Sequence, residues 1–464
     1  MKMIYQVSDR PGFSKTVVFA IQQLLAIMAA TLVVPIIIGN GMSPAAALFG
    51  AGIGTLVYLL FTKFKSPVFL GSSFAFLSSM ATAFAGGVSM ALGYLGLILG
   101  AVLAGLVYVV IAIVVKYAGT GWINKLMPAV VIGPTVAIIG LSLAGNAIGD
   151  LQKGDVMTQI LNTETLKLET VSTANPLIAI LCGLVTLITV ILCSTYGKKM
   201  MKLIPFIIGI LAGYAVAVIF TVIGIATENT ALQLIDFGYF TALWADGVTL
   251  STFVALPEFT FLKALGGFAE FSPAYLGTIA VAYVPVAFVV FAEHIADHKN
   301  ISSIIERDLL TEPGLSRTLL GDGVGSMAGA LFGGCPNTTY GESVACVAIT
   351  RNASVITILF ASVGAILISF LSPFVAFVDS IPSCVMGGVC IALYGFIAVS
   401  GLKMIKDVDL GENKNLFVVS TILVCGIGGL AINIGPVTVT AIAVALILGI
   451  VVNLLLQNAK SDDE

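Results

Sequence analysis

Charge is what this chain has least of. Only 10% of its 464 residues are Asp, Glu, Lys or Arg, where a soluble domain carries roughly 25%. With a mean hydropathy of +1.09, that scarcity excludes a soluble globular fold and leaves a polytopic membrane protein. Histidine is scarcer still, at two residues. Paired cysteine spacing is missing: Cys182, Cys193, Cys335, Cys346, Cys384, Cys390 and Cys425 lie in or beside apolar spans. They read as small buried hydrophobes, not as a disulfide set or a metal centre. A net charge of −3 offers nothing to nucleic acid, and no low-complexity tract or soluble domain interrupts the chain. The polar stretch 1–15 runs into a full-length apolar span, the pattern of a retained helix rather than a cleaved signal.

What the chain has is apolar runs. At about 20 residues per crossing, fourteen spans can be drawn, from 16–38 to 436–457, with the third at 67–86, the eighth at 275–298, the ninth at 315–333 and the tenth at 337–350. Lysine and arginine test the count, because cytoplasmic segments collect them. With both termini inside, the inner segments hold 18 and the outer ones only Lys153, Lys167 and Lys263. An error in the span count would scramble that alternation. Seven spans per half force the halves into opposite orientations, an inverted repeat. The expected class is therefore all-α and polytopic.

The third span of each half is irregular. Span three opens Phe69-Leu70-Gly71-Ser72-Ser73-Phe74-Ala75-Phe76; span ten opens with the passage Gly333-Gly334-Cys335-Pro336-Asn337-Thr338-Thr339-Tyr340-Gly341-Glu342-Ser343. Lipid cannot satisfy non-helical backbone, so such passages survive only inside protein or beside a watered cavity. Matched interruptions in two halves mark a midplane binding site. The bland alternative is a pair of functionless re-entrant loops. Residues 225–272 read as an outer loop, a small cap or gate lip.

Ionisable residues inside the membrane are functional hypotheses by default. Glu293 and Asp297 lie four apart on one helix face, with His294 and His298 on the neighbouring face. His-x-x-x-His with flanking acids raises a metal reading. Against it, the histidines fall at the cytoplasmic end, and no cysteine or further histidine cluster completes a shell. The histidines are expected to face the inner interface, and no metal or cofactor is expected. Asp322 sits inside span nine, where structural support and function weigh equally. Asp379, near an outer helix end, reads as a solvated cap. Glu342 falls where a half-helix begins, so helix dipole and burial pull its protonation in opposite directions.

Two carboxylates accept hydrogen bonds, and broken-span amides donate them. Together they complement a small planar solute carrying both N–H donors and carbonyl acceptors, the edge pattern of uracil and related nucleobases. An anionic substrate would be repelled. A bare cation would not need Phe74 and Tyr340 alongside. A passive channel suits such a site less well than alternating access. An intramembrane enzyme lacks any Ser/His, paired-Asp or metal constellation.

At these residues a family resemblance enters. Pro336 to Glu342, followed by Ala348-Ile349-Thr350-Arg351, resembles the signature of the nucleobase/ascorbate transporter family, and within it the uracil permeases. Ala292-Glu293-His294-Ile295 and Gly71 to Phe76 resemble its motifs in spans eight and three, and Gln22-Gln23 with Ala30-Thr31 its first span. The resemblance implies a core domain of residues 1–115 and 275–372, a gate domain of 116–224 and 373–464, and an extracellular segment at 225–274. It implies short antiparallel strands in spans three and ten, and import of a nucleobase across the plasma (inner) membrane by proton symport. Glu293, Glu342, Gly341, Phe74, Ala30 and Tyr340 would hold the base; Glu293, Asp297, Asp322 and Glu342 would handle the proton. Lipid bilayer and a second copy of the chain, paired through the gate, are the other implied partners.

Four departures stand out. Gln22-Gln23 replaces the family's Gln-His. Asp297 stands where uracil permeases carry His, which shifts any relay onto Asp297. Ser343 and Ala345 replace the usual Asn and Gly. Asp322 resembles the acid of purine-carrying members, while Glu342 pulls back toward uracil; a xanthine or other purine carrier, sodium-coupled, is the alternative.

Overall fold

The computed structural model describes residues 3–119, 122, 128–161, 168–245, 247–434 and 437–457. Lys2, Lys125 and Lys167, the first residues of the fifth and fourteenth spans and the acidic tail from Lys460 to Glu464 lie outside the described residues.

Fourteen helices carry the description: α1 Phe13–Ile38, α2 Pro44–Phe61, α3 Leu77–Ala83, α4 Met90–Ala118, α5 Ala129–Ser142, α6 Pro176–Tyr196, α7 Pro205–Ala226, α8 Pro273–Ile305, α9 Leu315–Gly333, α10 Gly341–Thr350, α11 Val355–Ile368, α12 Ser383–Met404, α13 Asn413–Ile427 and α14 Ala441–Leu455. Among the described residues, eight helical stretches are long and apolar enough to cross a membrane. Several start on the same local chemistry. Ser43 and Ser272 each cap a helix whose first residue is proline, the side chain accepting from the third residue's N–H at 3.2 Å. Such a cap satisfies one donor left over at the helix start, and proline lacks the N–H that would be orphaned there.

The chain forms two compact units, Met1–Ser142 with Pro257–Ser369 and Phe396–Glu464, and Leu143–Leu256 with Phe370–Gly395. Helices assigned to the gate are shared out: α6 and α7 lie in the second unit, while α5, α13 and α14 lie in the first. The segment read as one outer loop is likewise split at Leu256/Pro257, and it folds into short helical turns such as Gly238–Ala242 and Thr260–Ala264.

In the first unit, α2 packs on α9 with almost no side chain between the backbones. A Cβ on Gly50 would lie 2.4 Å from the Gly329 carbonyl oxygen, and one on Gly54 would lie 2.7 Å from that of Gly325. Small residues permit this approach, and in lipid close van der Waals packing replaces the hydrophobic drive between helices. Asn337 fills the remaining gap, its Nδ2 donating to the Gly50 carbonyl at 3.1 Å.

In the second unit, the Asp155 carboxylate caps α12 from across the chain, accepting from the Ser383 backbone N–H at 3.0 Å and its hydroxyl at 2.6 Å. Burial pushes the Asp155 carboxyl above its usual range, the Ser383 hydrogen bonds pull it down, and Asp150 and Asp236 push it up again. A carboxyl raised on folding stabilises the fold below its ordinary value, and that contribution is lost as pH rises through the raised one. At neutral pH, Asp155→Asn should therefore melt no lower than the parent, because its amide oxygen still accepts both bonds. Asp155→Ala should cost about 0.5–2 kcal/mol, the usual worth of a cap. Melting of the purified protein measures both.

Candidate functional site

Two short strands lie at the centre of the first unit. β1 (Leu70–Ser72) pairs antiparallel with β2 (Asn337–Thr339) in the register Leu70↔Thr339, Gly71↔Thr338, Ser72↔Asn337. The ladder is extended at both ends, Ser73 N donating to Pro336 O at 2.9 Å and Tyr340 N to Phe69 O at 3.2 Å. Gly and Ser on one side and Asn-Thr-Thr on the other suit this site: small or β-branched residues fit between strands packed on every face. All six strand residues are buried, so each strand supplies the other with the hydrogen bonds that lipid cannot.

Each strand runs into a helix that begins inside the protein. After β1 comes a tight turn at Phe74–Phe76 and then α3; after β2, Tyr340 leads into α10, with Gly341 and Glu342 in its first turn. Helix α8 packs against β2, α10 and the Phe74 turn. Its residues Glu293 and Asp297 thereby meet the start of α10. Thr339 Oγ1 donates to Asp297 Oδ2 at 2.9 Å. A Cβ built on Gly341 would lie 4.0 Å from Asp297 Oδ1. Glu293, Asp297 and Glu342 are close enough for their charges to act on one another, and all three remain partly open rather than buried. Three carboxyl groups so placed cannot all be ionised without mutual repulsion, which favours binding of a proton or of a donor-rich neutral ligand.

The other expected site residues fall around this centre with different freedoms. Ala30 is buried in α1, which packs on β1 and α10. Phe74 is half-buried in the turn contacted by α8. Tyr340 is a structural spoke: its hydroxyl donates to the Ser72 carbonyl at 2.7 Å across the strand pair, and its ring lies over Gly71. Asp322 approaches from another helix. It is 1% exposed on α9 and faces His294, whose Nδ1 lies 2.6 Å from Asp322 Oδ2.

The histidines correct the sequence reading. Neither faces an interface; both are 0% exposed. Their rings stack with centroids 4.0 Å apart. His294 Nε2 meets Thr318 Oγ1 at 3.0 Å, and His298 Nε2 meets the Tyr58 hydroxyl at 2.7 Å. Proximity to the cytoplasmic end of a span is a one-dimensional signal, and these partners arrive from α9 and α2. Sequence reasoning named Ser343 as a departure but gave it no role. Its hydroxyl accepts from Gln23 Nε2 at 2.5 Å and from Phe69 N at 2.9 Å, tying α1, the edge of β1 and the residue after Glu342 together. Two of the departures noted above, Gln23 and Ser343, thus touch each other. That was the available clue.

A family model described as "Permease family" matches residues 14–435, more than half of the chain. The chain belongs to the Permease family. Its curated relatives place it as uracil permease-like among the nucleobase/ascorbate transporters. The uracil permease of Bacillus subtilis (strain 168) is 39% identical, covering 98% of this chain and 96% of the relative. That of Bacillus caldolyticus is 38% identical over 98% and 95%, and that of Escherichia coli (strain K12) 33% over 97% and 93%. As a member of that family the protein is a multi-pass membrane transporter, not an enzyme. Among solved structures, the transmembrane domain of the cyanobacterial bicarbonate transporter BicA aligns with a TM-score of 0.62 at 14% identity, covering 97% of this chain and 100% of that one. The murine Slc26a9 anion transporter aligns at 0.60 and 11% identity, covering 97% and 69%. At such identities the permease shares their fold, and nothing follows about what it carries.

Proposed function

We propose that this permease imports uracil across the plasma (inner) membrane by proton symport, through alternating access of a core domain against a gate domain. The observation that carries the reading is the meeting of Glu293, Asp297 and Glu342 at a non-helical strand crossing. Carboxylates there accept the N–H groups of a neutral base, and the first amides of α10 offer donors to its carbonyls. Three acids at one place also hold a proton that uracil binding can engage. An anion such as bicarbonate would be repelled by them, so the shared fold does not extend to a shared substrate. The names of the full-length relatives support uracil in particular. Glu293 binds the ring N–H edge; Glu342, Gly341 and Phe74 complete the contacts, with Ala30 and Tyr340 packing behind. Asp297 takes the relay position beside Glu293 and Glu342. Fourteen spans in inverted halves, with both termini cytoplasmic, complete the proposed topology.

Uptake of labelled uracil in a permease-deficient cell tests this directly. Uracil should accumulate above its outside concentration, and a proton uncoupler should abolish accumulation. Insensitivity to the uncoupler would overturn proton coupling, and displacement by unlabelled xanthine at equal concentration would favour the purine reading.

A further inference from the structure

The family resemblance grouped Asp322 with the proton-handling acids, while the residues alone left structural support and function equally weighted; its surroundings favour the former. Thr318 has one hydroxyl hydrogen, and its Oγ1 donates to the Leu315 carbonyl at 3.0 Å. The contact from His294 Nε2 to the same oxygen, at 3.0 Å, then has Nε2–H as the donor. With that nitrogen protonated, neutral His294 presents Nδ1 as an acceptor toward Asp322 Oδ2 at 2.6 Å, and the acid supplies the hydrogen. The other carboxyl oxygen, Oδ1, is buried and meets no hydrogen-bond partner among the described residues. An ionised carboxylate with one bare, buried oxygen is costly; a neutral acid leaves only a carbonyl oxygen there.

His298 is fixed the opposite way. Its Nδ1 lies 2.8 Å from the His294 carbonyl oxygen, which can only accept. Its Nε2 lies 2.7 Å from the Tyr58 hydroxyl, which donates to Ser66 Oγ at 2.7 Å. Facing this cluster are Glu293 and Asp297 on α8, Tyr108 of α4 edge-on to His294 at 6.3 Å, and Tyr58 of α2. The field of Asp322 reaches Glu293 and Asp297, so a change of its charge would disturb them.

We propose that Asp322 is a positioning residue: a fixed hydrogen-bond donor that locks the His294 ring between α8 and α9, holds Glu293 in register, and carries no coupled proton. The inference deepens the uracil/proton reading of the site. In this role an amide replaces the acid, since Asn at 322 offers Nδ2–H to His294 Nδ1 and leaves its oxygen in the Oδ1 position.

Two measurements test it. Asp322→Asn should accumulate uracil within about threefold of the parent, because one donor replaces another of the same shape, and should keep the uncoupler response and the pH profile. Asp322→Leu should lose at least about tenfold, through an unpaired buried imidazole nitrogen. An Asp322→Asn protein that equilibrates uracil but no longer accumulates it, or whose pH profile flattens, overturns the proposal. The second measurement needs neither substrate nor variant. The chain has only two histidines, so ring-15N-histidine labelling of the purified protein yields two spin systems. The His294 ring should be neutral and protonated at Nε2, unchanged from about pH 5 to 8 where a free histidine titrates. An imidazolium signature or a titration at His294 refutes the lock. Failure of the parent to carry uracil would sink the substrate reading alone, because the spectrum judges the lock by itself.

Discussion

Glu293→Gln should abolish uracil accumulation while leaving the permease folded in the membrane. The two side chains have the same shape, so packing along α8 is kept. What changes is hydrogen-bonding capacity: a carboxylate offers two acceptor oxygens, whereas an amide turns one of them into a donor. Against a ring edge that donates N–H, that donor is mismatched. Losing a hydrogen bond to a charged group costs about 1.5–3 kcal/mol, or roughly a 10- to 150-fold rise in KM. The amide also cannot release a proton, so transport that survives should run only downhill. Uptake at saturating uracil, with and without an uncoupler, separates the two losses. Normal accumulation by Glu293→Gln at wild-type membrane levels would remove Glu293 from the site.

How much of this was legible in the sequence depends on the range of each signal. Hydropathy and the four-residue spacing of Glu293 and Asp297 are local, and they brought the polytopic class and a pair of acids on one helix face into view. The interrupted passages at Gly71–Phe76 and Pro336–Glu342 announced themselves by composition, since Gly, Ser, Pro and Asn are poor residues for a helix in lipid. What the chain could not display was which side chains each passage meets. Thr339 reaches Asp297 across 42 residues and Gln23 reaches Ser343 across 320. His294 and His298 were misread because the side chains that enclose them, Thr318 of α9 and Tyr58 of α2, are distant in sequence. The resemblance placed Tyr340 packing near the base; that its hydroxyl is held by the Ser72 carbonyl is a contact the sequence did not display.

Those long-range contacts predict that the site tolerates little change even where it holds no charge at all. A Cβ on Gly71 would lie 2.3 and 2.4 Å from two atoms of the Tyr340 ring and 2.9 Å from Thr31 Oγ1. Overlap of that size requires something to move. The ring cannot easily do so: it is buried, its hydroxyl is bonded to Ser72, and its backbone N–H is bonded to Phe69. Gly71→Ala should therefore spread the strand crossing instead, at the roughly 1–3 kcal/mol typical of overpacking. Because Gly341 and Glu342 follow Tyr340 directly, the displacement falls on the site. Uracil KM should rise at least about fivefold, in line with that energy, and the purified protein should melt lower. Gly145→Ala serves as the control, since a Cβ there meets nothing within 4 Å. Tyr340→Ala removes the obstructing ring, so the two changes should not add: the double variant should resemble Tyr340→Ala alone, as expected for residues in direct contact. Full additivity in a double-mutant cycle would show that the Tyr340 ring does not set the limit at Gly71.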